Sequence, residues 1–213
     1  MLHASFAPRL VTMLTVASPR HHPLILATSD GAPSTVPPAV LAANAATKWV
    51  VTFMQTGAVL ARRDLVAPYI VVGSIGAAFA TKALKKAINQ QRPDGAPFTD
   101  PGMPSSHALV ATFAAVAWAL TARCATIWAP ALLVGAATVS VLRVATGYHS
   151  WPQVTVGASL GAAGAAAWMA LGAALMARGV LGPRAAYGSV YAAYLGGSFF
   201  FVTLKMREWS AKY

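Results

Sequence analysis

The segment Asp100-Pro-Gly-Met-Pro-Ser-Ser-His107 places a hydroxyl-rich loop and a histidine directly before an apolar run over residues 108–120. Ser105 or Ser106 is a natural N-cap for a helix over that run, with Pro104 just outside it. A capped helix alone would be a purely structural feature. A histidine at the mouth of an apolar helix, however, gains significance if other chemically active residues accompany it.

Two further polar clusters lie on either side of this segment. Upstream, Lys85 and Arg92 are seven positions apart, and Pro93 follows. Downstream, Arg143-Val-Ala-Thr-Gly-Tyr-His149 ends in a second histidine, and beyond the N-terminal tail the chain has no histidine besides these two. Histidine can attack phosphorus or donate a proton, and cations stabilise a transferring phosphoryl group. These residue types are therefore suited to phosphoryl transfer.

The composition predicts a membrane protein. Of 213 residues, 57% are hydrophobic and only 10% are charged, whereas an ordinary soluble domain is about 25% charged. A helix needs about 20 mostly apolar residues to cross a bilayer. Six segments approach that length: roughly 40–61, 67–88, 107–125, 128–146, 154–177 and 186–204. We therefore expect an all-α, integral-membrane bundle of about six transmembrane helices.

The charge distribution indicates the partners. The formal net charge is +11, from 16 Lys and Arg against five acids, which in a soluble protein would suggest nucleic acid. Here the cations lie mainly at the ends of apolar runs, so anionic lipid head groups are the expected partners and nucleic acid is not. Nothing in the sequence specifies an oligomeric state.

Residues 1–36 differ in composition from the rest of the chain. They hold Arg9, Arg20 and three of the five histidines, and no acid precedes Asp30. This composition is typical of an organellar transit peptide, with a disordered tail as the alternative. We expect residues 37–213 to form a single membrane domain.

The three polar clusters resemble the signature of the type 2 phosphatidic acid phosphatase (PAP2) superfamily, which is Lys-x6-Arg-Pro, Pro-Ser-Gly-His and Arg-x5-His in that order. Every motif residue is present except one, because Ser106 stands where the family usually has Gly. The resemblance implies a PAP2-like core in which His149 is the nucleophile and forms a phosphohistidine. It implies that His107 is the general acid that later activates water. The phosphate-binding residues that it implies are Lys85, Arg92, Ser105, Ser106 and Arg143.

Helix geometry predicts that the clusters meet. Seven residues are nearly two helical turns, so we expect Lys85 and Arg92 on one face of the second helix, about 10 Å apart along its axis. Each crossing of the membrane reverses the chain direction. The helix ends near Arg92, His107 and His149 therefore fall on one side of the bilayer, which gathers the clusters into one site.

The scarcity of acids argues against a metal cofactor. Metal-dependent phosphatases need clustered carboxylates, whereas only Asp94 and Asp100 lie near the motifs. We therefore predict that the reaction requires no metal and no other cofactor.

Gln153 is a departure from the family pattern. Four residues after the nucleophile the family usually has Asp, which accepts the histidine N–H and fixes the tautomer. A Gln carbonyl can accept the same bond without adding charge, so Gln153 would orient His149 but activate it less.

The Arg-x5-His-x3-Gln pattern also narrows the branch of the family. Together with Asn-Gln-Gln-Arg-Pro and the segment 100–107, it resembles the chloroplast lipid phosphate phosphatase epsilon proteins, and secondly the dolichyl diphosphatases. The first resemblance implies hydrolysis of phosphatidate to diacylglycerol within the membrane, in the plastid inner envelope. The second implies a polyprenyl diphosphate phosphatase, with the endoplasmic reticulum as the alternative location. A non-catalytic, lipid-binding membrane subunit is a third hypothesis.

Overall fold

A computed structural model describes residues 25–27, 33–62, 64–121, 128–179 and 183–210. Two short antiparallel strands, β1 (Ile25–Ala27) and β2 (Pro33–Thr35), precede six helices. The helices are α1 (Pro38–Ala61), α2 (Val66–Ile88), α3 (Ser106–Ala119), α4 (Trp128–Ala145), α5 (Trp151–Ala177) and α6 (Pro183–Ser210). Within these described residues, the predicted all-α architecture with six helices is confirmed.

Three helices, α2, α4 and α5, are long and apolar enough to cross a membrane. For α1, α3 and α6, membrane crossing remains a prediction. Helix α3 ends at Ala119 rather than near residue 125, and residues 122–127 lie outside the described part of the chain. The strand pair was not predicted; it lies in the tail 1–36, most of which is likewise outside the described residues.

The turn between α1 and α2 is closed by Asp64. Its Oδ2 accepts a hydrogen bond from Nε of Arg62 at 2.8 Å. Its Oδ1 accepts from the backbone N–H groups of Val66 and Ala67 at 3.1 and 3.3 Å. These two N–H groups belong to the first turn of α2 and have no partner within the helix, so the carboxylate satisfies them.

Helix α3 is the central helix, because α2, α4 and α5 all pack against it. Its side chains Leu109, Phe113 and Trp118 are buried. Two glycines allow α5 to approach closely. A Cβ at Gly157 would lie 2.7 Å from the backbone oxygen of Ser105, and one at Gly161 would clash with the backbone oxygen of Leu109. Larger residues there would separate the start of α3 from α5.

Helices α2 and α5 are joined by a reciprocal contact. The rings of Tyr69 and Trp168 stack with centroids 4.6 Å apart. The Tyr69 hydroxyl donates to the backbone oxygen of Trp168 at 2.7 Å, and the Trp168 indole N–H donates to the backbone oxygen of Tyr69 at 3.0 Å. Both partly buried polar groups are therefore satisfied, and the axial position of one helix relative to the other is fixed.

The expectation that Lys85 and Arg92 share one helical face is wrong. Helix α2 ends at Ile88, because Asn89 adopts a left-handed conformation with φ 48° and its N–H caps the carbonyl of Lys85 at 2.9 Å. Asn tolerates this conformation better than most residues. Arg92 directly precedes Pro93, which disfavours helical geometry at Arg92. Arg92 therefore lies in the connection after the helix.

Candidate active site

The structure brings the three clusters together where the C-terminal ends of α2 and α4 meet the N-terminal ends of α3 and α5. The backbone N–H of Ser105 donates to the backbone oxygen of Gln153 at 3.0 Å. Nη1 of Arg92 donates to the backbone oxygen of Tyr148 at 2.9 Å. Nζ of Lys85 donates to the backbone oxygen of Pro101 at 2.6 Å. Each bond joins segments that are distant in sequence.

His149 lies in the connection between α4 and α5, and its ring contacts a different partner at each nitrogen. Nδ1 lies 3.1 Å from Oε1 of Gln153, and Nε2 lies 3.1 Å from Nη1 of Arg92. A guanidinium can only donate, so Nε2 accepts through its lone pair. The ring proton is therefore on Nδ1 and is donated to Gln153, while the lone pair of Nε2 faces the cations.

The side-chain amide of Gln153 uses its full hydrogen-bonding capacity. Oε1 accepts from His149 and from the backbone N–H of Ser150 at 3.2 Å. Nε2 donates to the backbone oxygen of Gln91 at 2.7 Å and to Oε1 of Gln90 at 3.2 Å. The backbone partners at Ser150 and Gln91 determine which end of the amide is oxygen and which is nitrogen. The assigned tautomer of His149 follows from that orientation.

Burial is the main reason that the pKa of His149 is lowered to about 3. The positive charges of Arg92 and Arg143 lower the pKa further, and the hydrogen bond with Gln153 opposes them. The imidazole is therefore neutral at neutral pH, which is the state that a nitrogen nucleophile needs.

The cations Lys85 and Arg92 meet around Asp100, a residue to which the sequence assigned no role in the site. Lys85 Nζ lies 2.6 Å from Oδ2 of Asp100, and Nη2 of Arg92 lies 2.9 Å from both carboxylate oxygens. Nε of Arg92 also donates to the backbone oxygen of Asp100 at 3.0 Å. With its bonds to Tyr148 and His149, Arg92 uses all of its N–H groups. A phosphate held by both cations would have to replace this carboxylate.

The electrostatics of Asp100 agree with this contact. Partial burial would raise the pKa of its carboxyl, but the hydrogen bond and charge of Lys85, together with the charge of Arg92, bring the pKa below its ordinary value. Asp100 is therefore ionised at neutral pH and acts as an internal anion between the two cations.

Two buried polar atoms at the site have no hydrogen-bond partner among the described residues: Oγ of Ser105 and Nε of Arg143. Ser105 is the N-cap of α3, yet its hydroxyl does not cap the helix. The first backbone N–H groups of a helix, here beginning at Ser106, attract anions. A hydroxyl, a guanidinium N–H and a helix N-terminus together form a donor set that fits a phosphate.

Asn44 on α1 is a second site residue that the sequence did not identify. It is buried, and its Oδ1 accepts a hydrogen bond from Nη1 of Arg143 at 3.3 Å. The guanidinium also stacks on the ring of Tyr148, with its carbon 4.9 Å from the ring centroid. The signal available in the sequence was a polar asparagine within a mostly apolar segment. Asn44 and Tyr148 thus hold the arginine from two sides.

His107 is the second residue of α3, half-buried, and its ring forms no hydrogen bond within the described residues. Arg143 and His149 lie near this ring. Because no described residue bonds to this ring, the ring is available to a substrate. No three His, Cys, Asp or Glu side chains cluster as metal ligands would in the part of the chain that the structure describes. Metal independence itself stays a prediction.

An apolar cavity of about 530 Å³ lies between α2, α3 and α5. Leu84 and Leu109 line it, and these residues are next to Lys85 and two positions after His107, respectively. Gly73, Phe113 and Trp168 line it at positions farther along the helices. The apolar lining therefore includes sequence neighbours of two site residues.

Comparison with known protein families assigns this sequence to one of them. A family model described as the PAP2 superfamily matches residues 67–177, which is more than half of the chain and includes all three polar clusters. The chain belongs to the PAP2 superfamily. The resemblance inferred from the motifs is therefore confirmed.

Two relatives of this PAP2 chain come from Arabidopsis thaliana. Lipid phosphate phosphatase epsilon 2, chloroplastic, is 32% identical over 133 residues, covering 59% of this chain and 46% of that protein. Lipid phosphate phosphatase epsilon 1, chloroplastic, is 34% identical over 125 residues, covering 55% and 45%. The chain thus spans less than half the length of either relative. No solved structure matches it.

Proposed function

We propose that this PAP2 protein is a metal-independent lipid phosphate phosphatase that hydrolyses phosphatidate to diacylglycerol and phosphate. The observation that carries the proposal is the environment of His149. Its neutral ring holds the proton on Nδ1 against Gln153 and directs the Nε2 lone pair toward Arg92. Buried donors without partners on Ser105 and Arg143 belong to the same site. A nucleophile and an anion-binding donor set are thus combined.

In the first chemical step, Nε2 of His149 attacks the phosphorus and the bond to the lipid oxygen breaks. In its protonated form, His107 donates a proton to that departing oxygen, so that diacylglycerol leaves as an alcohol. The product on the protein is a phosphohistidine. When the Nε2 lone pair bonds phosphorus, the Nη1 hydrogen of Arg92 is released from the ring and can donate to a phosphoryl oxygen.

In the second step, His107 accepts a proton from water while the water oxygen attacks phosphorus. The bond from Nε2 to phosphorus breaks, phosphate leaves, and His149 regains its lone pair. In both steps the charge on the phosphoryl oxygens is stabilised by fixed donors: Lys85, Arg92, Arg143, Ser105 and the backbone N–H groups at the start of α3, including that of Ser106.

The lipid nature of the substrate is supported by the cavity between α2, α3 and α5. Its lining is apolar and includes Leu84, which precedes Lys85 in the chain, and Leu109 near the start of α3. A hydrocarbon chain bound there would leave its head group among the cations. Two relatives are named as lipid phosphate phosphatases and as chloroplastic, and the tail 1–36 has the composition of a transit peptide. We therefore propose the plastid envelope membrane, specifically its inner membrane, as the location.

The test is phosphate release by purified full-length protein from phosphatidate and from a polyprenyl diphosphate, measured side by side in mixed micelles. We expect higher kcat/KM on phosphatidate and no release by His149→Ala. A preference for polyprenyl diphosphate would assign the protein to that substrate class instead. If neither lipid is hydrolysed, the protein is a non-catalytic membrane component.

A further inference from the structure

Gly102 lies two residues before Pro104, outside the three motif clusters, and it packs against Gln153. We propose that Gly102 is a positioning residue of the phosphatase reaction: its missing side chain leaves the space in which the Gln153 amide holds the proton on Nδ1 of His149. The inference rests on the proposed function for its effect on activity. Its effect on the ring of His149 can be measured without any reaction.

The space at Gly102 is filled by the amide of Gln153. A Cβ on Gly102 would lie 2.5 Å from Nε2, 2.7 Å from Oε1 and 2.8 Å from Cδ of Gln153. Distances below about 3 Å do not occur for real Cβ atoms. The backbone of Gly102 does not require glycine, because its φ lies outside the left-handed region. Contact with the Gln153 amide, rather than backbone conformation, therefore explains why residue 102 is glycine.

The segment Gln90–Gln91 fixes Gly102 and Gln153 relative to each other. The backbone oxygen of Gln90 accepts from the N–H of Gly102 at 2.7 Å, and that of Gln91 accepts from Nε2 of Gln153 at 2.7 Å. The backbone N–H of Ser105 is bonded to the oxygen of Gln153. The loop before α3 therefore cannot move away from the amide without breaking bonds to both neighbouring segments.

This arrangement predicts which atoms move in Gly102→Ala. The end of a Gln side chain is flexible, so the amide is the group that yields to the new methyl. The amide would then lose its hydrogen bonds to the carbonyl of Gln91 and the N–H of Ser150, and also its bond to the ring of His149. A ring that has lost that acceptor is held only through Nε2, by Nη1 of Arg92. Once it rotates away from Arg92, it can hold its proton on either nitrogen. Only the tautomer with the proton on Nδ1 has a nucleophilic Nε2.

The experiment measures kcat/KM on phosphatidate for four variants of the full-length protein. Gly102→Ala should lose on the order of tenfold to a hundredfold, as partners of functional histidines do elsewhere. Gly57→Ala, on α1 with nothing within 4 Å of its Cβ, is the matched control and should equal wild type. Gln153→Ala should show a similar loss, and Gly102→Ala/Gln153→Ala should be no worse than Gln153→Ala.

Two kinetic outcomes would overturn the proposal. One is a Gly102→Ala variant with wild-type kcat/KM. The other is a double variant whose loss is the product of the two single losses, because independent effects multiply. If Gly102→Ala alone does not fold, the double variant should, since the smaller Ala at residue 153 leaves room for the methyl. A double variant that is also unfolded would show that contact with Gln153 is not the reason for the glycine.

The second readout is the ¹⁵N spectrum of the histidine rings, with His149 assigned by its absence in His149→Ala. Wild type should show a protonated Nδ1 and an unprotonated Nε2, and Gly102→Ala should show a mixture of tautomers. Identical spectra would refute the proposal. Because no substrate is needed, this result stands even if the wild-type protein releases no phosphate from lipid, which would refute the proposed function alone.

Discussion

Replacing Gln153 with Glu changes the charge next to His149 while keeping the length of the side chain. A carboxylate there can still accept from Nδ1 of His149 and from the N–H of Ser150. It cannot donate to the backbone oxygen of Gln91, which lies 2.7 Å from the Nε2 of Gln153. The variant therefore gains a negative charge at the ring and loses a hydrogen bond on the other side.

The size of the electrostatic effect follows from the geometry. The amide oxygen is 3.1 Å from Nδ1, which places a carboxylate charge about 4 Å from the centre of an imidazolium. At an effective dielectric constant of about 20, two such charges attract by about 4 kcal/mol, or about three pKa units. The carboxylate favours the imidazolium, so the pKa of His149 should rise from about 3 toward 6.

The assay is the pH dependence of kcat/KM between pH 4 and 8 on one substrate, so that titration of the substrate is common to all variants. In wild type, His149 stays neutral over this range. In Gln153→Glu, the ring should become protonated and lose its nucleophilic lone pair as the pH falls below about 6. Gln153→Ala is the control, because it should lose activity without this shift. Superimposable profiles for Gln153→Glu and wild type would refute the contact between residue 153 and the nucleophile.

The remaining predictions concern the anion site. Asp100→Asn should lower the vanadate inhibition constant on the order of threefold to tenfold, because the ion no longer competes with a carboxylate for Lys85 and Arg92; an unchanged constant would mean that anions bind elsewhere. Asn44→Ala should lower kcat/KM on the order of tenfold, since losing a buried acceptor costs about 1–3 kcal/mol, and Asn44→Asp should restore part of it if Arg143 is the partner. Activity should survive EDTA, and a strict magnesium requirement would refute the metal-free mechanism.

The helices could be predicted from sequence because apolar length and alanine content are local properties. Both ends of α1, α2, α4 and α5 lie within three residues of the predicted positions, whereas α3 ends six residues before the predicted 125 and α6 ends six residues after the predicted 204. The end of α2 shows the limit of this reasoning. The seven-residue spacing predicted that Lys85 and Arg92 lie on one face of a continuous helix. Asn89 instead ends the helix, and the two cations are joined by their salt bridges to Asp100. A left-handed cap depends on the conformation of a single residue, which the periodicity of the sequence does not predict.

The site residues from the motifs could be named from sequence, while their contacts could not. Asn44 and Asp100 are separated from the motif residues that they bind, and only the fold brings them there. Gly102 has no side chain, so its contact with Gln153 is revealed only by the distances in the folded structure. The family pattern suggested an acceptor at residue 153, but the reason for an amide lies in the carbonyl of Gln91, which requires a donor.

The most direct measurement is the chemical identity of the phosphorylated residue during turnover. Full-length protein is mixed with phosphatidate labelled at phosphorus, quenched rapidly, and mapped by mass spectrometry under alkaline conditions that preserve phosphohistidine. We expect phosphate on Nε2 of His149 that forms before free phosphate is released, and no labelled protein in His149→Ala. Phosphate on any other residue would contradict this mechanism. So would full activity of His149→Ala without a phosphorylated intermediate.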